Sequence, residues 1–591
     1  MSQHDLVIRG GTLVDGTGDA PRVGDLAIDG DRITAIGSDV GEGRREIDAR
    51  GLLVTPGWVD IHAHYDAQAT WDPMLSPSSE HGVTTVVLGN CGVGFAPVRE
   101  SLRDELIDLM EAVEDIPGAA MHEGIQWEWE TFPEFMEALE RRDHAIDYGL
   151  QVPHCALRAY VMGQRGIDNE PATAEDIAQM QEIVAEALRA GALGFSTSRT
   201  EMHNTLKGDP VPGTFAERDE LFGIGAALAK EDAGVFQMSL THREVPGEIE
   251  WMKELARETG RMVTFNLQQI DEAPDLYKEA LRGLDKARAE GVTNLRGQFS
   301  GRPVGVLMGW ETSVHPFLGH PEYVKLMKLP IDERLEQLRR PEVKALLLEG
   351  GKLRMDGLPK NAPIPAVFLQ FLTQATQKMY PMGGGHDYEP DPADSVAGRV
   401  ESTGRTPAEV VYDALMDQDG KGLLYFPLFG YATSRFDAIE ETMLHPQTGL
   451  SLADGGAHCG AICDAGTPTF MLMHWARDRK RGELMPVEFI VRRQTRDTAH
   501  QYGLFDRGEL KPGLKADVNV IDFERLGLEN PEMRHDFPAS GRRLYQGARG
   551  YVATIVSGQV IFEEGVATGA LPGKLIRGAQ PGLAENEEAQ A

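Results

Sequence analysis

Two histidines separated by one residue, His62 and His64, are the first side chains whose type and spacing suggest chemistry. Residues i and i+2 of a strand face the same side, so both imidazoles could hold one cation. The segment 58–64 predicts a strand that carries both histidines at its far end, after a strand-like run and turn at 52–57. Paired histidines also occur on exposed strands, so the spacing alone does not establish a metal site.

Three further candidates follow strand-like runs. Cys91 lies in Gly89-Asn90-Cys91-Gly92 after the run 83–88, His242 follows the run 235–241, and Asp454 follows 450–453. A lone cysteine is often a small buried apolar side chain, and a lone histidine or turn aspartate is often structural. The ends of successive strands are nevertheless where a (β/α)8 barrel carries its chemistry.

The elements between these positions predict an α/β fold. Strand-like runs alternate with helical ones, as where 193–197 follows 174–190, which indicates βα units. The predicted domains are a (β/α)8 barrel over 56–508, with an insert at about 300–405, and a small composite β-sandwich built from 1–55 and 509–570. The tail 571–591 ends in an acidic stretch that predicts disorder. The acidic segment 101–145 and the insert are interpreted either as lids or as packing domains.

Several motifs together resemble a known family. They are PGWVDIHAHYD, GVTTVV and GNCGVGFAP within 46–97, GFSTSR at 194–199, LSLADGGAHCG at 450–460 and KPGLKADVNVID at 511–522. The chain is similar over nearly its whole length to the amidohydrolase superfamily, and specifically to its D-aminoacylase (N-acyl-D-amino-acid deacylase) branch. His-x-His combined with Gly-Asn-Cys-Gly is specific to that branch.

The resemblance implies a zinc-dependent amidohydrolase with the same barrel and composite β domain. It assigns His62, His64, Cys91, His242 and Asp454 as metal ligands, with the cysteine able to bridge two metals. It also makes Asp454 the proton shuttle, which accepts a proton from the attacking water and returns it to the departing nitrogen. The expected substrate is an N-acyl-D-amino acid or a related N-acyl amide.

One family ligand is missing. D-aminoacylases carry a second metal histidine on the strand after the one that ends at His242, and the matching segment 262–268 contains no histidine. A site built from Cys91 and His242 alone lacks a protein ligand, whereas His62, His64 and Asp454 still make a single site. We therefore expect one zinc ion and leave a second open.

The substrate-binding residues are less clearly marked. Characterised deacylases carry a cationic residue downstream of the catalytic aspartate, where this chain has 463–466 without one. Arg199 and Arg243, each just beyond a predicted strand end, could bind a carboxylate in its place. His154 and His458 could line the pocket or support a ligand.

Two alternatives stand beside the deacylase. A cyclic amide or imide hydrolase of the hydantoinase kind would be expected to have a carboxylated lysine as the bridging ligand, and Cys91 argues against it. A non-catalytic assembly subunit would explain the missing histidine at 262–268. Retention of the other candidate ligands argues against that alternative, because none is needed merely to fold a barrel.

Composition limits the partners and the cellular compartment that we expect for this protein. The chain has 591 residues and a formal net charge of −34, which argues against nucleic acid or an anionic membrane as a partner. Four cysteines are too few for a disulfide framework. The start lacks a signal-peptide pattern, and no apolar run approaches the roughly 18 residues of a membrane span. The sequence predicts a cytoplasmic enzyme that acts on a small-molecule amide, and it leaves a homo-oligomer open.

Overall fold

The computed structural model describes residues 3–241, 244–354, 356–357, 375–450 and 453–583. The predicted disordered end of the tail, 584–591, lies outside the described residues. The preceding part of the tail runs along the barrel, where Gly573 and Leu575 bridge His144 and Tyr148. Among the described residues, no helix has the length and apolar character needed to cross a lipid bilayer.

The chain begins with short strands. They are β1 (His4–Leu13), β2 (Arg22–Asp29), β3 (Arg32–Gly37), β4 (Gly43–Asp48) and β5 (Leu53–Pro56). β1 pairs antiparallel with β2 and parallel with β4 and β5. Alternate residues, including Leu6, Ile8, Leu26 and Ile28, face a separate apolar core, as a two-residue period requires.

A parallel sheet forms the centre of the molecule. In chain order, the next strands are β6 (Trp58–Asp60), β7 (Val83–Leu88), β8 (Asp147–Pro153), β9 (Gly194–Ser198), β10 (Val235–Ser239), β11 (Met262–Asn266), β12 (Leu295–Phe299), β13 (Gly305–Met308), β14 (Tyr380–Pro381), β15 (Leu424–Pro427) and β16 (Thr448–Leu450). The eight strands β6 to β12 and β16 are neighbours in that order. All six residues of β7 are buried, because helices cover the outer face of such a sheet and side chains fill its interior.

Contacts beyond the first and last of these strands close the sheet into a barrel. Ala63 forms a parallel bridge with Gly455. The His64 amide donates to Gly455 O (2.7 Å), and the Asp454 amide donates to His62 O (3.1 Å). The two chain segments that carry predicted ligands are therefore held together by backbone hydrogen bonds.

Helices surround the barrel. Those that follow its strands are Arg103–Glu114, Gly118–Gly124, Phe132–Glu140, His154–Met162, Ala174–Ala190, Arg218–Glu231, Val245–Thr259, Leu276–Ala289, Asp437–Leu444, Thr467–Phe470, the π-helical Met471–Asp478, Val487–Gln494 and Arg496–Gln501. Helix Ala174–Ala190 shows why such segments are helical. Thr173 and Asp176 form a capping box at its start, and Gly191 ends it with a left-handed φ of 105°.

An insert between β12 and β16 has a core of its own. β13, β15 and β14 form a small antiparallel sheet. Its helices include Pro321–Val324, Ile331–Leu338, Pro341–Leu347, Val396–Thr403 and Pro407–Gly420. Trp310 stacks on Phe317 and Tyr323 at the centre of this core. Val306 bridges Ile462, so the insert contacts the loop that carries Asp454.

The last strands return to the first ones. They are β17 (Val518–Ile521), β18 (Gly527–Leu528), β19 (Glu532–Phe537), β20 (Gly541–Tyr545), β21 (Ala548–Arg549), β22 (Tyr551–Val556), β23 (Gln559–Glu563) and β24 (Val566–Ala567). β17 pairs antiparallel with both β5 and β22, which joins the two ends of the chain in one sheet. The predicted α/β fold, a barrel with a β domain built from both chain ends, is confirmed.

Candidate metal centre

The predicted site residues lie at the carboxyl ends of the barrel strands. His62 and His64 follow β6, Cys91 follows β7, His154 and Arg199 directly follow β8 and β9, and Asp454 and His458 follow β16. His242, a predicted ligand, and Arg243, a predicted substrate-binding residue, lie outside the described residues.

Three of the predicted ligands form one buried cluster. The donor atoms of His62, His64 and Cys91 all lie within 4.8 Å of one another. His62 Nε2 is 3.2 Å from Cys91 Sγ. Asp454 Oδ1 is 3.5 Å from His64 Nε2 and 3.8 Å from His62 Nε2. The fold therefore brings four of the five predicted ligands together.

The two histidines lie just past the strand that was predicted to carry them. β6 ends at Asp60, earlier than the predicted strand, and Asp60 Oδ1 accepts a hydrogen bond from the His62 amide (3.0 Å). His62 Nδ1–H donates to Gln298 Oε1 (2.9 Å) on β12, which leaves the lone pair of Nε2 facing Cys91. Gln298 was missed by the sequence analysis, because its partner is 236 residues away.

A tight turn presents Cys91. Gly89 has a φ of 75°, and a Cβ there would lie 2.3 Å from Gln151 O, so only glycine fits. Cys91 itself has a φ of 55°, which is rare for a residue with a side chain. Its amide donates to Gln237 Oε1 (3.0 Å). This turn directs the thiol towards His62 instead of into the helical layer.

Asn266 lies in the segment 262–268, where the family resemblance led us to expect a further histidine. It ends β11, and its Nδ2 lies 3.4 Å from Ser239 Oγ and 3.9 Å from Cys91 Sγ. Its Oδ1 accepts a hydrogen bond from Gln237 Nε2 (3.2 Å). A carboxamide NH2 has no lone pair to offer a cation, so this side of Cys91 is built for hydrogen bonding.

Burial controls the electrostatics of the cluster. It lowers the pKa of His62 to about 4, and it also lowers the pKa of His64. Burial, together with the nearby Asp464 carboxylate, raises the pKa of Asp454 to about 7, and burial raises the pKa of the Cys91 thiol. Neutral imidazoles beside closely spaced acidic groups are what a divalent cation stabilises.

Glu114 is a second residue that the sequence analysis missed. It ends helix Arg103–Glu114 on the buried face set by Ile107 and Met110, and it is 1% exposed. Its Oε1 lies 3.3 Å from His64 Nδ1. An acidic residue at an apolar-face position of an amphipathic helix is the sequence signal that could have found it.

Two predicted substrate-binding residues have other partners. Both ring nitrogens of buried His154 are engaged, with Thr197 Oγ1 and Glu220 Oε1 at 2.8 Å each. Arg199 forms a two-point ion pair with Glu248, at 2.9 and 3.2 Å. In the described chain, neither contacts the ligand cluster. His458 does join it, with Nε2 3.6 Å from Asp454 Oδ2.

The donor set fits a zinc ion. Two imidazole nitrogens, a thiolate sulfur and a carboxylate oxygen are ligand types that zinc accepts in mixed sets. Within the described residues, no lysine or arginine lies within 4.0 Å of the Asp454 carboxylate, whose ion-pair contacts are all with histidines. A divalent cation would suit the donor atoms that these residues present.

Comparisons with known proteins identify relatives of the whole chain. The profile of the Amidohydrolase family matches residues 45–345 and 412–562. A D-aminoacylase of Alcaligenes xylosoxydans xylosoxydans is 26% identical over 581 residues, which cover 97% of each chain. A D-aminoacylase crystal structure superposes with a TM-score of 0.63 at 23% identity, over 97% of this chain and all of that one.

A second solved structure shares the fold. It is N-acyl-D-glutamate deacylase from Bordetella bronchiseptica complexed with zinc and a phosphonate inhibitor, with a TM-score of 0.62 at 23% identity, over 98% of this chain and 100% of that one. The family profile covers most of the sequence and includes the segments that carry His62, His64, Cys91 and Asp454. The chain therefore belongs to the Amidohydrolase family.

Proposed function

We propose that the protein is a zinc-dependent deacylase that hydrolyses the amide bond of an N-acyl-D-amino acid or a related N-acyl amide. The observation that carries the proposal is the convergence of His62, His64 and Cys91 on one point at the carboxyl end of the barrel. Relatives named D-aminoacylase and N-acyl-D-glutamate deacylase support the substrate class. The thiol in place of a carboxylated lysine favours this class over the hydantoinase alternative.

His62, His64, Cys91 and Asp454 would hold the metal. Zinc at such a site supplies a Lewis acid that polarises the amide carbonyl and activates water near neutral pH. Gln298 keeps the proton of His62 on Nδ1, so Nε2 stays free to bind. The left-handed turn at Cys91 holds its sulfur in the same place.

Asp454 is the proposed general base and acid. Its Oδ1 faces the two imidazoles, whereas Oδ2 points away from them towards His458. Oδ2 is therefore the oxygen that accepts the proton of the attacking water. The same atom then delivers this proton to the departing nitrogen, so no covalent bond between enzyme and substrate is required.

The test is turnover of paired D and L N-acyl amino acids by zinc-loaded protein. We expect hydrolysis of D substrates, and a kcat lower by about 100-fold or more in Asp454→Asn, because a positioned acid or base contributes about that factor. Exposed Asp143→Asn is the matched control and should keep wild-type turnover. Zinc content measured in each variant separates loss of the base from loss of the metal.

Two results would count against the proposal. Asp454→Asn protein that holds zinc and turns over at the wild-type rate would remove Asp454 as base. Zinc-loaded wild-type protein that hydrolyses none of the N-acyl amides would remove the substrate class.

A further inference from the structure

The loop between β9 and the next helix, residues 199–217, exposes a group of large apolar side chains. We call it the β9 loop. Within the described residues, three of the ten exposed large apolar side chains lie in it: Met202 is 51% exposed, Leu206 is 41% exposed and Phe215 is 57% exposed. Single exposed apolar residues are ordinary on a protein surface, whereas a group of them marks a surface that contacts a ligand or a partner.

Hydrogen bonds hold the backbone of the β9 loop in place. The Val211 amide donates to His203 O (3.2 Å), which closes the middle of the loop into a hairpin-like arm. Arg199 Nη1 donates to Ala216 O (2.9 Å), which ties the end of the loop to its beginning. The exposed apolar side chains are therefore carried by a backbone that both of these bonds fix at the carboxyl end of β9.

The first part of the β9 loop lies beside the metal centre. His203 Nδ1 is 3.0 Å from Ser198 Oγ, at the end of β9. Ser198 in turn packs against the turn that presents Cys91, since a Cβ on Gly92 would lie 3.1 Å from Ser198 N. Met202, the neighbour of His203, is therefore at the rim of the barrel close to the ligand cluster.

The β9 loop and Asp454 lie on opposite sides of the barrel. In the strand order from β6 to β12 and then β16, β9 is the fourth strand and β16 is the eighth. Closure of eight strands into a ring places these two across from each other. Asp454 follows β16, and Oδ2, the oxygen proposed to protonate the departing nitrogen, is directed towards His458 on that same side. An amide whose nitrogen faces β16 extends its acyl group towards β9.

We propose that the β9 loop binds the acyl group of the substrate, and that the enzyme prefers N-acyl amides whose acyl chain is apolar and longer than acetyl. The inference rests on the proposed function, because the direction of the substrate follows from the role of Asp454. Contact between an acyl chain and the exposed apolar side chains of the loop removes both from water, which favours binding in proportion to the area buried.

A series of acyl chains on one amino acid tests the proposal. For zinc-loaded wild type we expect kcat/KM to rise by about tenfold or more from N-acetyl-D-alanine to N-octanoyl-D-alanine, since each fully buried methylene contributes about three- to fourfold. Met202→Ser and Phe215→Ser should each reduce this rise to about threefold or less and keep the N-acetyl value within about twofold. Phe505→Ser is the matched control, because Phe505 is 44% exposed beside Gln580 of the C-terminal segment. It should keep the wild-type rise.

A change of the amine tests the direction of the substrate. With the acyl group kept as acetyl, D-alanine is replaced by D-leucine. The resulting change in kcat/KM should be the same in wild type, Met202→Ser and Phe215→Ser, because the amine faces the side of Asp454. Thermal melts check that the variants are folded, and light scattering measures the oligomeric state of each protein.

The outcomes separate this proposal from the function on which it rests. Equal kcat/KM for the acetyl and octanoyl substrates in wild type overturns the acyl-chain proposal and leaves the deacylase proposal intact. The same conclusion follows if both variants keep the wild-type rise, or if they change the response to the amine instead. An oligomer that dissociates in Phe215→Ser, with the rise retained, assigns the loop to a contact between copies and also overturns the proposal. Zinc-loaded wild type that hydrolyses none of these substrates removes both proposals.

Discussion

At the scale of single residues, the centre depends on which atom each side chain turns inward. His62 presents Nε2 because Nδ1 is held by Gln298, and Cys91 presents its sulfur because its backbone adopts a left-handed φ of 55°. Asn266, by contrast, gives its amide to hydrogen bonds around the same sulfur. The thiol of Cys91 therefore lies between the His62 imidazole and the Asn266 amide.

Replacing that thiol should weaken metal binding. We expect Cys91→Ala to lower the zinc affinity by about tenfold or more, since it removes a ligand outright and loss of even a supporting residue costs about 10–100-fold. Cys155→Ala is the matched control, because this buried thiol donates to Pro212 O (3.2 Å) away from the cluster. Competition with a chromophoric chelator measures both affinities. Equal affinities for the two variants would exclude Cys91 as a ligand.

At the scale of elements, short turns after the strands place the ligands. β7 directs the chain to the rim of the barrel, and the turn Gly89-Asn90-Cys91-Gly92 folds it back over Gln151 at the neighbouring strand. Gly456 has a similar role after β16. Its φ is 87°, and a Cβ at this position would lie 2.8 Å from His64 O. The turns, more than the strands, set the positions of the donors.

A methyl group at Gly89 should therefore be costly. Gly89→Ala should lose about 1–2 kcal/mol for the left-handed backbone and about 1–3 kcal/mol more for overpacking against Gln151 O. Gly260→Ala is the control, because Gly260 has a φ of 68° but open space around it. Gly260→Ala should lose only the stability that a left-handed backbone costs a residue with a side chain. Urea denaturation measures both, and equal losses would show that the close approach is relieved cheaply.

At the scale of the whole molecule, the β domain anchors the start of the barrel. β5 pairs with β1 and β17, and β6 begins two residues after it, at Trp58. The sheet that joins the chain ends thus fixes the strand that leads to His62. The prediction of a metal-dependent hydrolase of carbon–nitrogen bonds is confirmed by the family to which the chain belongs.

Buried His81 joins the barrel to the C-terminal segment and should make stability depend on pH. Its Nε2–H donates to Gln546 O, and its Nδ1 accepts from Thr469 Oγ1, both at 2.8 Å. Burial lowers the pKa of His81 to about 4, below the value of 6.5 for a free histidine. The unfolded chain therefore binds more protons between these values. The contribution is fully present above pH 6.5 and is lost as the pH falls towards about 4.

Substitution of His81 should reduce this dependence. Between about pH 7 and about pH 5 we expect wild type to lose about 2 kcal/mol of stability through this group, and His81→Asn to lose correspondingly less. Other buried histidines such as His315 titrate alike in both proteins and cancel in the comparison. Urea denaturation at the two pH values measures the difference. Parallel losses in wild type and variant would contradict it.

Local pattern was enough to predict much of this protein from the sequence alone. The alternation of strand and helix signals predicted the α/β fold, because periodicity acts over a few residues. The assignment of His62, His64 and Cys91 to one metal site came from the family resemblance that the His-x-His and Gly-Asn-Cys-Gly motifs carry. Local pattern also placed Asp454 at a strand end. It could not set the end of β6, which depends on pairing with β7.

Tertiary structure decided which distant groups complete the centre. Gln298 reaches His62 across 236 residues. Glu114 reaches His64 and His458 from the acidic segment 101–145, which the sequence suggested only as a lid or a packing domain. The partners of His154 and Arg199, Glu220 and Glu248, likewise come from other helices. These contacts exist because barrel closure brings the carboxyl ends of all eight strands to one rim, and no local pattern encodes which side chains meet there.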